Sequence, residues 1–202
     1  MNILKNYYKK KFKKYGPSMK GVGWSKKSKS KKRYKTLLKV LEFNDNKKKI
    51  SILDVGCGYG ELIKHLPKNV NYKYMGIDIV EEMIIYAQNN FQDQNIKFST
   101  MNVSKISKNY DFIVCNGILT LKNDLTEKQM QEFMIKCIGI FYKFSKIGFS
   151  FNLMSEIVDY KSKMLFYPKL QFLLKFFKGK KISKINIDNK SIKYENFFFV
   201  KK

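Results

Sequence analysis

Apolar positions change their period along this chain, and each change marks an element. Tyr34, Leu37, Leu38 and Leu41 recur at helical spacing and predict a helix over residues 28–42. Ile50–Val55 is an apolar run that ends in glycines, which predicts a buried strand. Strands and helices then alternate. A short helix is expected over 61–66, stopped at Pro67, then a strand over 72–79 and a helix over 81–91 with two acids in its first turn. Strands follow over 97–103 and 111–115. Thr126 and Gln129 form a capping box opening a helix whose apolar face is Met130, Phe133, Met134, Cys137, Ile138 and Phe141. A strand over 147–153, a helix over 168–177 begun by Pro168 and stopped near Gly179, and strands over 182–187 and 197–200 complete the chain. Residues 1–24 are basic and aromatic, broken at Gly16-Pro17 and Gly21-Val22-Gly23-Trp24. The alternation argues for a mostly parallel, doubly wound sheet with helices on both faces. In such a sheet ligands bind beyond the carboxyl ends of the strands.

The chain has 202 residues, 44% of them hydrophobic, which suits one domain with a sizeable core. No stretch approaches the roughly 20 apolar residues of a membrane span, and the first residues lack the apolar core of a signal peptide. A cytoplasmic protein is expected, monomeric or homodimeric. Cys57, Cys115 and Cys137 are widely spaced and read as reduced packing residues. With His65 as the only histidine, no metal site is expected.

The net charge of +25 raises a nucleic-acid reading, most of all at SKKSKSKKRYK, residues 25–35, where seven of eleven are basic. Of 41 Lys and Arg, however, only Arg33 is an arginine, and Ala87 is the only alanine. This is the mark of an AT-rich coding background that favours lysine everywhere. Arginine is the residue preferred for bidentate phosphate and base recognition, so its scarcity weakens that reading.

The chemistry lies after the first strand, in SILDVGCGYGE, where Asp54, Gly56, Gly58 and Gly60 are spaced D-x-G-x-G-x-G. Glycines there let the backbone approach a ligand closely. Asp78 ends the next strand, where one carboxylate can take both hydroxyls of a ribose. Glu61 stands where the nicotinamide fingerprint needs its last glycine, so pyrophosphate fits poorly. An acid before the glycines suits a cationic ligand.

These residues resemble the class I S-adenosylmethionine-dependent methyltransferases over about residues 49–153. LDVGCGYGE looks like the family's first motif, and Asp78 in MGIDIV, with Ile79 beside it, looks like its ribose-binding acid. Met101-Asn102-Val103 falls where the family contacts adenine, with the amide Asn102 in place of the frequent acid. YDFIVCNGIL matches the fourth motif, which implies that Cys115, Asn116 and Gly117 stand beside the methyl donor. The resemblance implies a Rossmann-like seven-stranded sheet in the order 3-2-1-4-5-7-6, the inserted strand antiparallel. It further implies a methyltransferase domain over 49–202 behind a basic cap over 1–48. The expected cofactor is S-adenosylmethionine, leaving S-adenosylhomocysteine, with no metal. The donor contacts implied are Asp54, Gly56, Cys57, Gly58, Gly60, Asp78, Ile79, Asn102, Val103, Asn116 and Gly117. For Arg33 two readings stand: a solvated surface residue, or a fork onto the donor's methionine carboxylate.

The acceptor is narrowed by elimination. Asn116-Gly117-Ile118-Leu119 lacks the Asn/Asp-Pro-Pro-aromatic motif of enzymes that methylate exocyclic amines of bases, and Cys115 follows Val114 rather than proline, unlike the cytosine-carbon enzymes. A small-molecule acceptor methylated at oxygen is expected. The Tyr- and Lys-rich stretches 1–24 and 155–168 would suit an anionic, phosphorylated or carbohydrate-precursor acceptor, with Trp24, Tyr15, Tyr160 and Tyr167 as candidate contacts. The rival readings are an RNA methyltransferase that docks RNA on its basic amino-terminal region, and a non-catalytic domain that binds the donor.

Overall fold

In the computed structural model the described residues are 2–24, 27–44 and 49–202. Ser25 and Lys26, which open the basic run, and Lys48, the last residue of the expected cap, lie outside them. Seven strands form one sheet: β1 (Ile50–Val55), β2 (Tyr72–Asp78), β3 (Ile96–Thr100), β4 (Tyr110–Cys115), β5 (Ser145–Met154), β6 (Lys184–Asp188) and β7 (Glu195–Lys201). Their order is β3-β2-β1-β4-β5-β7-β6, as the resemblance implies. The first five are parallel, and β7 is inserted antiparallel between β5 and β6.

Period-two alternation on the central strands builds a core on each face. Leu53, Val55, Ile113, Cys115, Phe149, Phe151 and Phe198 point to the face covered by α4 (Glu127–Phe144) and α5 (Leu170–Phe177). There Phe151 and Phe198, paired across β5 and β7, stack with ring centres 4.9 Å apart. Ile50, Ile52, Tyr74, Phe112, Val114, Phe197 and Phe199 point to the other face, covered by α2 (Lys27–Leu37), the 3-10 helix Leu38–Phe43 that continues it, and α3 (Glu81–Asn90). Tyr34, Leu37, Leu38 and Leu41 are buried there, on the stripe that their spacing predicts. Among the described residues no helix is long and apolar enough to cross a membrane.

One helix goes unpredicted, and two expectations need correction. Residues 2–15 form a helix, α1 (Asn2–Tyr15), that the many lysines conceal; Leu4, Tyr8 and Phe12 lie four apart, and Phe12 packs on Tyr59 and Tyr86. The strand expected to reach residue 103 stops at Thr100, because the Asn102 side chain accepts from Ser104 N at 2.9 Å and starts a 3-10 turn. Pro168 precedes α5 rather than opening it, since Lys169 is the N-cap.

The capping box of α4 is present in full: Thr126 Oγ1 accepts from Gln129 N at 3.2 Å, and Gln129 Oε1 from Thr126 N at 2.9 Å. Thr126→Ala removes one of the two bonds. It should lower the free energy of unfolding in urea by about 1 kcal/mol, with an unchanged slope.

Candidate functional site

Asp54 stands level with Gly76 on β2 and with Val114 on β4. The loops leaving these strands therefore open at one height. Together with α1, α2 and the start of β7 they enclose a cavity of about 300 Å³. Beyond Val55 the backbone turns through left-handed glycines, Gly56 at φ 76° and Gly58 at φ 55°. A Cβ at Gly56 would sit 2.1 Å from Ile118 Cγ2, so both the turn and its neighbour require glycine. The loop is tied to β2 twice. Gly56 N and Cys57 N both donate to Ile77 O, at 2.8 and 3.0 Å.

Asp78 makes the second tie. One carboxylate oxygen accepts from Gly58 N and the other from Val80 N, each at 2.9 Å. Burial holds its pKa above the usual value, opposed by bonds from the Val80, Gly58 and Ile79 amides. Each carboxylate oxygen has two lone pairs, so capacity remains for a ligand that offers two hydroxyls.

Asp54 is 1% exposed, and Tyr74 donates to it at 2.6 Å. Burial first, then the charge of Asp78, pushes its pKa up to about 7, against the pull of the Tyr74 bond. Tyr34 and Tyr59 also line the cavity. The Tyr59 phenol is pushed up to about 12, chiefly by burial and then by the charge of Glu61. The Tyr8 phenol rises too, through burial and the proximity of Tyr7 and Asp78.

The wall opposite the glycines comes from distant parts of the chain. Arg33, 9% exposed, donates from Nε to the two oxygens of Glu195 at 2.9 and 2.8 Å, and its Nη2 also binds Glu195. The guanidinium carbon lies 3.8 Å from the centre of the Trp24 ring. Asn152 Nδ2 donates to Glu195 at 3.2 Å, and Asn152 Oδ1 accepts from Gly117 N at 2.8 Å. Asn116, next to it, keeps a buried side-chain oxygen with no partner among the described residues.

Of the expected contacts, Asp54, Gly56, Cys57, Gly58, Asp78, Ile79, Val103, Asn116, Gly117, Arg33 and Trp24 all line the cavity. Arg33 is no surface arginine: its guanidinium turns inward to Glu195. Gly60 and Asn102 are outside the lining. Gly60 packs on Phe91 and Phe98, and Asn102 caps its turn while its neighbour Met101 lines the cavity. Cys115 lies in the core. Tyr15 and Tyr160 are exposed elsewhere, and the Tyr167 hydroxyl accepts from Ser162 N. His65 stacks on Tyr34. Sequence reasoning missed Tyr7, Tyr8, Tyr34, Asn152 and Glu195. For Tyr8 the signal was present, in its spacing from Leu4 and Phe12. For Glu195 none was, since only folding brings β7 beside α2.

The cavity's charge is opposite to that of the chain. Asp54, Glu61, Asp78 and Glu195 line it against Arg33 alone, and no described lysine does. The lysine-neutralised acceptor site expected from residues 1–24 and 155–168 does not form there. Those lysines belong to faces turned outward: Lys5, Lys13, Lys14 and Lys163 are exposed. Among the described residues no group of three metal-binding side chains occurs.

A family model described as "Methyltransferase domain" matches residues 52–137. The chain is 32% identical over 126 residues to malonyl-[acyl-carrier protein] O-methyltransferase of Acetivibrio thermocellus, covering 59% of this chain and 44% of that protein. It is 38% identical over 80 residues to tRNA (guanine-N(7)-)-methyltransferase of Clostridium botulinum, covering 35% of this chain and 36% of that protein. The chain thus spans less than half the length of these curated relatives. Magnesium protoporphyrin IX methyltransferase from Synechocystis PCC 6803, solved with bound S-adenosylhomocysteine, superposes with a TM-score of 0.74 at 15% identity, covering 100% of this chain and 98% of that one.

The high pKa of Asp54 has a consequence for stability. The folded chain holds this proton more tightly than the unfolded chain, whose aspartate titrates near the ordinary value of about 3.9. Stability is therefore lost as pH rises from about 4 to about 7, as the buried carboxyl ionises. Asp54→Asn should raise the thermal midpoint relative to the parent at pH 8, and the gain should vanish at pH 4. A gain that is equal at both values would refute the assignment.

Proposed function

We propose that this chain, whose fold is that of the class I S-adenosylmethionine-dependent methyltransferases, transfers a methyl group from S-adenosylmethionine to a small acceptor, at oxygen. The observation that carries this is Asp78, joined to the glycine loop through Gly58 N while keeping lone pairs for two ribose hydroxyls. The rest of the lining fits the same ligand. The bare backbone at Gly56 and Gly58 admits the nucleoside's close approach. Ile79, Met101 and Val103 supply an apolar slot for adenine. The unpartnered Asn116 oxygen can accept from a donor group of the ligand. Asp54 can face its ammonium.

Bound there, a sulfonium donor supplies an already activated methyl group. The chain's own task is then orientation and exclusion of water, which can supply much of the rate. Tyr7, Tyr8, Trp24, Leu121, Phe133 and Leu165 enclose the remaining space. That wall is aromatic and apolar, and Arg33, the one cation among its described residues, is already paired with Glu195. It favours an uncharged, hydroxyl-bearing acceptor with an apolar body over the anionic one expected from sequence.

A second reading, methyl transfer to RNA, draws on the outward-facing lysines of α1 and α2 and the likeness to the tRNA enzyme over 80 residues. Incubation with labelled donor separates the two. Label should enter the small-metabolite fraction of a cell extract. Entry into the RNA fraction, with binding that weakens steeply with salt, would establish the rival.

Calorimetry with S-adenosylhomocysteine tests the donor site. The parent should bind it saturably, and absence of binding at about 1 mM ligand would sink the reading. Asp78→Ala should weaken binding about 10- to 100-fold, the loss expected for hydrogen bonds to a charged group.

A further inference from the structure

One set of lining residues is left unexplained by donor binding. Glu195 opens β7, and its two oxygens receive Arg33 from α2 and Asn152 from β5. The Arg33 guanidinium carbon lies 3.8 Å from the Trp24 ring centre, while Asn152 holds the Gly117 amide. Gly117 has φ 85°, and a Cβ there would sit 2.9 Å from Trp24 Cζ2. The indole thus contacts both arms of the network, and the buried Glu195 carboxylate hydrogen-bonds both Arg33 and Asn152. Taking such a pair out of water costs several kcal/mol per ion, repaid only when the geometry is good and the spare lone pairs are satisfied. Here both conditions hold, at a cavity wall.

We propose that Glu195 is the specificity-determining residue of the acceptor wall: it positions Trp24 and Gly117 through Arg33 and Asn152, and by pairing with Arg33 it refuses anionic acceptors. The proposal rests on the methyl-transfer reading of the same cavity. Its physical content is that Arg33 would bind an anion if Glu195 did not occupy it. Removing the charge of Glu195 should therefore create an anion site, which a residue serving stability alone would not do.

Trp24 is the only tryptophan in the sequence, so the chain's tryptophan emission reports on this wall. The experiment titrates the ligand-free 202-residue chain with benzoate, and with benzamide as an uncharged match, while following that emission. The parent should show no preference for benzoate. Glu195→Gln should shift the emission and bind benzoate at least about tenfold more tightly than benzamide, a factor worth about 1.4 kcal/mol. Circular dichroism establishes that the variant is folded. If the folded variant matches the parent in emission and in preference, the proposal is wrong.

Arg33→Lys decides the matter if Glu195→Gln does not fold. Lysine keeps the charge pair but cannot lie flat on the indole. It should shift the emission and gain no benzoate binding, and an unshifted emission would overturn the proposal. Because these measurements use no donor, they stand apart from the calorimetry. Failure to bind S-adenosylhomocysteine would refute the methyl-transfer reading without altering the emission result.

Discussion

Parallel pairing of β1 with β2 and β4 is the constraint on which the site depends. It sets Val55 beside Ile77 and Cys115, so three chain segments leave the sheet at one level. Parallel strands need crossovers on the faces, and those crossovers bury the strands on both sides. Asp54 and Asp78 stand at the carboxyl ends, where the cavity is, one bonded by Tyr74 and the other by loop amides, while Ser51 and Asp111 satisfy each other near the amino ends.

Antiparallel insertion of β7 adds what the parallel strands cannot. It runs back from the cavity end, so its first residue, Glu195, lies opposite Met154, the last of β5. Alternation along both strands turns Asn152, Phe197 and Glu195 toward the face that α2 covers. Arg33 reaches this face from above, and the network closes across elements 162 residues apart in sequence. The fold thereby joins its amino-terminal helices to its last strand through a buried ion pair. A chain with a formal charge of +25 builds its cavity from carboxylates and aromatic rings. Lysine ammoniums are strongly hydrated and stay in water, whereas the planar guanidinium can be buried on a ring.

By itself the sequence determined the elements and the glycine-loop side of the cavity. Apolar runs and helical repeats locate every strand and most helices, because burial is written in local composition and spacing. Asp54, the glycines and Asp78 were legible for the same reason: they lie at or just past the ends of strands. Where lysines filled three sides of a helix, as in α1, the repeat was hidden though present. Only the tertiary structure decided the rest. Glu195, Asn152 and the inward turn of Arg33 depend on which strand is inserted beside which. The scarcity of cations in the cavity depends on which face of each lysine-rich helix meets the sheet. Contacts between residues far apart in sequence leave no spacing to read, since the geometry that joins them is made by the sheet.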